Sequence, residues 1–347
     1  MTNTNDTAKL LPIIKKYFEN PVKTGFEIEQ LKSGSINETY KIRIDRKPYI
    51  LQKLNTNIFS KKVVEDMVQV TDYLDLNNIK VPHLTETKKG NKFVQTPNGE
   101  IYRMYPYLYG ETPNKFELSN NHLKTLGSYL ANVHKALERL DYEPKHKIEN
   151  FHNTQYYVEK IKKLLPQFED EMDKECIKAM VETYEKLNKD FITDESQNQI
   201  IHADPRIENI LYDKKFNEYS LIDFDTIMKG SKFIDIGDLC RSLFISEDLD
   251  EISYSRKMHD KFIIGYYITM VKHSQKDERI SKKDFMKQCV DATMLISLEL
   301  AIRFYIDVIE DNYFGYNSEK FESRKEHNLV RAQNCYELFR IIHKDNF

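Results

Sequence analysis

The stretch Ile200–Asp225 constrains the chain most. It reads Ile-Ile-His-Ala-Asp-Pro-Arg-Ile-Glu-Asn-Ile-Leu-Tyr-Asp-Lys-Lys-Phe-Asn-Glu-Tyr-Ser-Leu-Ile-Asp-Phe-Asp. Two apolar runs, 210–212 and 219–222, flank a polar turn over 213–218. That pattern predicts an antiparallel hairpin inside an otherwise helical region. A closed hairpin brings Asn209, ahead of the first run, and Asp223, after the second, to the same end. Two hard oxygen donors at one point suit Mg²⁺, with waters and phosphates completing its shell. Asp204 lies five residues before Asn209, on the loop entering the hairpin. It can face a hydroxyl while the other two hold the metal.

The rest of the chain falls into two composition zones. Residues 25–110 hold short β-rich runs. Tyr40, Ile42 and Ile44 alternate on one strand face, residues 45–48 make a turn, and residues 49–52 return as a second strand. A helix follows Ser60, an N-cap, with Val63, Met67, Val70 and Leu74 near helical spacing. Strands return near 92–95 and 101–104. The run Tyr105-Pro-Tyr-Leu-Tyr-Gly-Glu-Thr-Pro113 is a connector, marked by two prolines and a glycine. Beyond it, Leu123, Leu126, Leu130, Val133 and Leu137 line one helical face, and Gly127 within that helix points to close packing. Further helices are expected over 155–165, 171–189, 256–273, 283–309 and 327–343. The expectation is a two-lobed α+β protein: a small β-rich N-terminal lobe over 1–104, a hinge over 105–112 and a mainly helical C-terminal lobe over 113–347.

Composition closes off several classes. Lys and Arg number 52 against 55 Asp and Glu, a net charge of −3, so no dominant basic field exists for nucleic acid. Cys176, Cys240, Cys289 and Cys335 stand alone, without a Cys-x-x-Cys pair, and read as small buried hydrophobes in a reducing compartment. The polar Met1–Asp6 does not read as a secretory signal, and the apolar run 262–271 is too short for a membrane span. The expected setting is cytoplasmic, with no membrane or nucleic-acid partner.

His202-x-Asp204, Asn209 five residues on and Asp223 fourteen further have the spacing of a kinase catalytic loop followed by a metal-binding carboxylate. Phosphoryl transfer needs that division of labour. The chain resembles the aminoglycoside phosphotransferase and choline kinase superfamily, which has a protein-kinase-like fold. Within it, the chain is most similar to the N-acetylhexosamine 1-kinase group. The resemblance is carried by Ser33–Tyr40, Tyr49–Phe59, Asp223–Gly230 with Gly237–Ser242, and Leu298–Phe304 with Asp307, Tyr313 and Phe314.

That resemblance implies an ATP- and Mg-dependent kinase acting on the anomeric hydroxyl of an N-acetylhexosamine or related sugar. Asp204 is then the catalytic base and Asn209 and Asp223 the metal ligands, with His202 and Asp235 supporting the loop. Gly34, Ser35 and Asn37 form the turn over the phosphates, although an ordinary hairpin turn explains it equally well. Tyr105 and Tyr107 sit in the hinge, where backbone groups meet a nucleobase. The phosphate contact on the second strand is left open between Gln52 and Lys53, which alternation puts on opposite faces. Glu65 or Asp66 is an acidic partner or a solvated helix charge. Arg303 and Tyr313 line the sugar pocket, or form a structural ion pair and plain packing. Asp225, expected on the side of Asp223, binds sugar hydroxyls, assists the metal or satisfies the Thr226 backbone. The competing readings are a kinase for choline, an aminoglycoside or another small alcohol, and a silent nucleotide- or sugar-binding sensor.

Overall fold

The computed structural model describes residues 4–19, 21, 26–31, 36–187, 198–245, 252–271 and 281–346. It divides into two compact units. The first comprises Met1–Glu111, Leu140–Ile148 and Leu211–Ile227; the second comprises Thr112–Arg139, Glu149–Ile210 and Met228–Phe347.

The first unit is built on an antiparallel sheet of β1 (Phe26–Leu31), β2 (Glu38–Ile44), β3 (Lys47–Lys53), β4 (Phe93–Gln95) and β5 (Ile101–Pro106), in the order β1-β2-β3-β5-β4. Ile44 pairs with Lys47, so the β2–β3 turn is only Asp45-Arg46. Both take positive φ (51° and 64°), as the tight primed hairpin turns require. Pro48, expected in the turn, belongs to β3. Tyr40, Ile42 and Ile44 are buried as alternation requires. Helix α2 (Lys61–Leu76) starts at Ser60, whose hydroxyl accepts from the Lys62 amide. Helix α1 (Thr4–Tyr17) is an addition to the sequence reading. It carries Pro12 internally, and Leu10, Ile14 and Tyr17 join Ile42, Leu51 and Met104 in the core.

The hairpin forms from β7 (Ile210–Asp213) and β8 (Glu218–Leu221). In the second unit, β6 (Gln199–Ile201) pairs with β9 (Met228–Gly230), a partnership of distant segments. The helices of this unit are α3 (Asn120–Leu137), α4 (Thr154–Leu164), α5 (Glu171–Leu187), α6 (Lys232–Phe244), α7 (Arg256–Val271), α8 (Lys282–Glu310) and α9 (Arg324–Asn346). Helices α3 and α7 meet at Gly127 and Gly265. A Cβ on Gly127 would stand 2.1 Å from the Phe262 carbonyl oxygen, and one on Gly265 2.1 Å from that of Lys124. Close packing is thus the reason for Gly127. Cys240, Cys289 and Cys335 are buried and all four cysteines are free thiols. No described helix is long and apolar enough to cross a membrane.

Candidate active site

The loop after β6 is held by one buried carboxylate. Asp235, on the first turn of α6, accepts from the amides of His202 (3.0 Å) and Ala203 (2.8 Å), and lies 2.9 Å from His134 Nε2. His134 Nδ1 in turn meets the Tyr266 hydroxyl at 2.7 Å. Burial opposes the Asp235 charge, but His134 and the His202 amide outweigh it and hold the carboxyl below its ordinary value. Ala203 takes φ 67°, a left-handed kink that turns the chain toward Asp204. The Asp204 amide donates to His202 Nδ1 at 3.3 Å. Asn209 Nδ2 donates to the Asp204 carbonyl (2.8 Å) and to its carboxylate (3.3 Å). The amide oxygen of Asn209 therefore faces away from Asp204.

Ala203 has a second restraint. Its carbonyl lies 2.7 Å from Nε2 of His152, whose Nδ1 is 3.1 Å from Glu299 Oε1. Glu299, on α8, also accepts from the Thr154 hydroxyl at 2.6 Å. One turn further on, Arg303 lies 3.5 Å from Glu299 and 3.3 Å from the Tyr313 hydroxyl. Four rings, Phe151, Tyr157, Tyr313 and Phe314, surround its guanidinium at 5.1–5.7 Å. Asp307 fixes the segment after α8 by accepting from the amides of Asn312, Tyr313 and Phe314. The Arg303–Glu299 ion pair and Tyr313 are thus parts of one network. Glu299 and His152 are the members that sequence reasoning missed: Glu299 lies within the Leu298–Phe304 stretch but was given no role there, and His152 lies in no recognisable motif.

In the first unit, Asn37, Gln52 and Asp225 come together around Arg103, another residue the sequence reading missed. Gln52 and Arg103 are direct cross-strand partners on β3 and β5. Gln52 Oε1 accepts from Arg103 Nε (3.0 Å) and Nη2 (2.7 Å), while Gln52 Nε2 reaches the Thr39 hydroxyl at 3.3 Å. Arg103 Nη1 and Nη2 grip both oxygens of Asp225, Nη2 at 3.0 Å. Asn37 Nδ2 donates to Asp225 at 2.7 Å, and Asn37 Oδ1 accepts from the Asn55 amide. Arg103 is 1 % exposed and Asp225 3 %. Burial opposes the Arg103 charge, and the neighbouring Asp225 more than restores it.

Several expectations change here. Strand alternation does not govern Asp225: Asp223 takes a left-handed backbone (φ 67°, ψ 62°) and residues 224–226 form a 3₁₀ turn. Asp223 is consequently exposed while Asp225 is buried on Arg103. Lys53 lies on the other face of β3, 2.9 Å from both Glu38 and Glu100. On α2, Asp66 accepts from Tyr142 Oη (2.6 Å) and the amides of Lys145 (2.9 Å) and His146 (2.7 Å), so it anchors residues 142–146 and is no solvated charge. The phenol of Tyr105, pushed up by burial, lies in the field of Arg103, Asp223 and Asp225, while Tyr107 carries Lys41 over its ring at 4.5 Å. Gly34 and Ser35 lie outside the described residues.

A strand sheet with two helices, a hairpin leading from Asn209 and a braced Asp204 loop define a kinase-like α+β fold of small-molecule phosphotransferase type. The chain belongs to the phosphotransferase enzyme family APH, whose model matches residues 27–259. Solved structures share the fold at low identity. The amicoumacin kinase hAmiN, in complex with AMP-PNP, Ca²⁺ and Ami, superposes with TM-score 0.67 at 14% identity over 98% of this chain and 94% of that one. The choline kinase of Cryptosporidium parvum Iowa II gives 0.64 at 15%, covering 98% and 95%. A microcompartment-associated aminopropanol kinase gives 0.62 at 16%, covering 99% and 98%.

Proposed function

We propose that the chain transfers the terminal phosphoryl group of ATP to the anomeric hydroxyl of an N-acetylhexosamine or related sugar. Asp204 takes the hydroxyl proton, the sugar oxygen bonds to the γ-phosphorus, the bridging P–O bond breaks, and ADP leaves. Asn209 and Asp223 are the residues that would hold Mg²⁺. The donor set fits: one amide oxygen turned away from Asp204 and one exposed carboxylate are hard ligands, to which phosphates and water add. The metal, when bound, neutralises charge on the phosphates. Gln52, Asn37, Tyr105 and Tyr107, with Gly34 and Ser35, belong to the nucleotide side, and Arg303 and Tyr313 to the acceptor side.

The observation that carries the acceptor reading is the ring cluster around Arg303. A quaternary ammonium is recognised by aromatic faces. Here a guanidinium already occupies them, and its fixed charge repels a second cation. The remaining polar groups, the Tyr313 hydroxyl and the guanidinium, suit a neutral, hydroxyl-rich acceptor. The amino-alcohol kinases among the solved neighbours favour the second reading, a cationic alcohol such as choline.

The test measures Mg-ATP consumption against N-acetylglucosamine, N-acetylgalactosamine, glucose, galactose, choline and kanamycin, with phosphorus NMR of the product. An anomeric phosphate on an N-acetylhexosamine is expected; turnover on choline or kanamycin alone would discard the sugar reading. Asp204→Asn is expected to lower turnover roughly 10³-fold while nucleotide affinity stays near wild type. Retained turnover would remove Asp204 from the base role.

A further inference from the structure

The cation that a kinase strand normally offers is absent from β3 at position 52, where glutamine stands, and Lys53 is committed to Glu38 and Glu100 on the opposite face. Both candidate helix acids are committed too, since Asp66 holds residues 142–146 and Glu65 lies 3.0 Å from Lys145. A buried Arg–carboxylate fork stands nearby instead, two residues from Asp223 in sequence and roofed by Asn37. Desolvating both charges is costly, and an apolar pair of similar volume would serve stability as well. The fork offers geometry in return: both oxygens of Asp225 and the amide oxygen of Gln52 lock one guanidinium plane. Asp225 is thereby fixed at the centre of the 3₁₀ turn that follows the left-handed Asp223.

We propose that Arg103 is a positioning residue for the metal site: by clamping Asp225 against Gln52 and Asn37, it holds the turn that presents the Asp223 carboxylate. It acts from β5 and through Asp225, replacing a strand cation that would touch the phosphates directly. The inference rests on the reading of Asp223 as a metal ligand.

The test uses the full chain with Mn²⁺ and a fluorescent ATP analogue (TNP-ATP) as probes. Arg103→Met leaves the Asp225 charge buried and unpaired, so its thermal midpoint should fall. Adding Asp225→Asn removes that charge and should restore most of the loss. Although stable, the double variant is expected to lose about tenfold or more of the Mn²⁺-dependent gain in TNP-ATP affinity, the gain being taken relative to each variant's own metal-free binding. Arg103→Lys keeps the charge without the fork and is expected to lose a comparable share. A wild-type Mn²⁺-dependent gain in Arg103→Lys or in the double variant would overturn the inference. Should Arg103→Met fail to fold, Arg103→Lys and Asp225→Asn carry the same comparison. Asp223→Asn separates the two levels. If it abolishes the gain while the Arg103 variants keep it, only this inference falls; if it leaves the gain intact, the metal-site reading falls and takes the inference with it.

Discussion

Arg303 shows how one side chain serves two purposes. Its ion pair with Glu299 and its ring contacts hold it rigid, while under the proposed function the same guanidinium, bonded to Tyr313, also serves the acceptor. Arg303→Lys keeps the charge but not the planar donors, so acceptor KM should rise about tenfold with kcat less affected. Steady-state kinetics on the identified acceptor check this. His152 gives a pH signature. Burial opposes its charge, but Glu299 and the Ala203 carbonyl raise its pKa above the ordinary histidine value. Its stabilisation is therefore complete below about pH 6.5 and is lost as pH rises through the raised value. Glu299 carries the opposite limb. Burial raises its pKa, yet His152 and Arg303 depress it overall, so its share is lost as pH falls through the lowered value. Urea unfolding of wild type and His152→Gln across this range should show the difference shrinking at alkaline pH; a constant difference would argue against a charged His152.

Among elements, the α3–α7 contact is the least forgiving. Backbone meets backbone at Gly127 and Gly265, with no flexible side chain to give way. Gly127→Ala or Gly265→Ala should destabilise by about 3 kcal/mol, the upper range for overpacking a tight contact. Chemical denaturation measures it, and a loss under about 1 kcal/mol would mean the helices separate easily. Elements with clean signals were legible in the sequence. Ser60 announced α2, the alternation 40–44 announced β2, and the polar turn 213–218 announced the β7–β8 hairpin. Helix α6 was not, although Asp235, Asp238 and Arg241 recur at helical spacing; all three are buried on internal partners and do not mark a solvent face. The β6–β9 pair was hidden for another reason: each strand has three residues, and neither implies its partner.

For the whole molecule, ligand binding is the measurable link between site and fold. A nucleotide that binds only the folded chain stabilises it by about 2.7 kcal/mol at a hundredfold excess over Kd. Mg-ADP should thus raise the thermal midpoint, and EDTA with ADP present should return most of that gain. A shift insensitive to EDTA would argue that nucleotide binds without metal. Around the candidate residues the long-range connections are buried polar ones. Asp235 joins His134 to the 202–203 amides, and Asp225 joins Arg103 to Asn37.

The candidate site is legible in the sequence because its residues are local in the chain. His202, Asp204, Asn209 and Asp223 fall within one hairpin and its entry loop, so spacing alone picks them out as candidates for phosphoryl transfer. The fold class followed from the same local signals, strands with one helix and then helices. What surrounds those groups was decided only in three dimensions. Arg103 is an ordinary strand residue until β5 pairs with β3 and sets it beside Gln52. Asp225 belongs on the face of Asp223 by strand alternation, yet a left-handed residue and a 3₁₀ turn send it inward. His152 and Glu299 lie far apart in sequence and meet because α8 carries Glu299 to the loop ahead of α4. Buried charges must find partners wherever the packed chain offers them, and no sequence period records that choice.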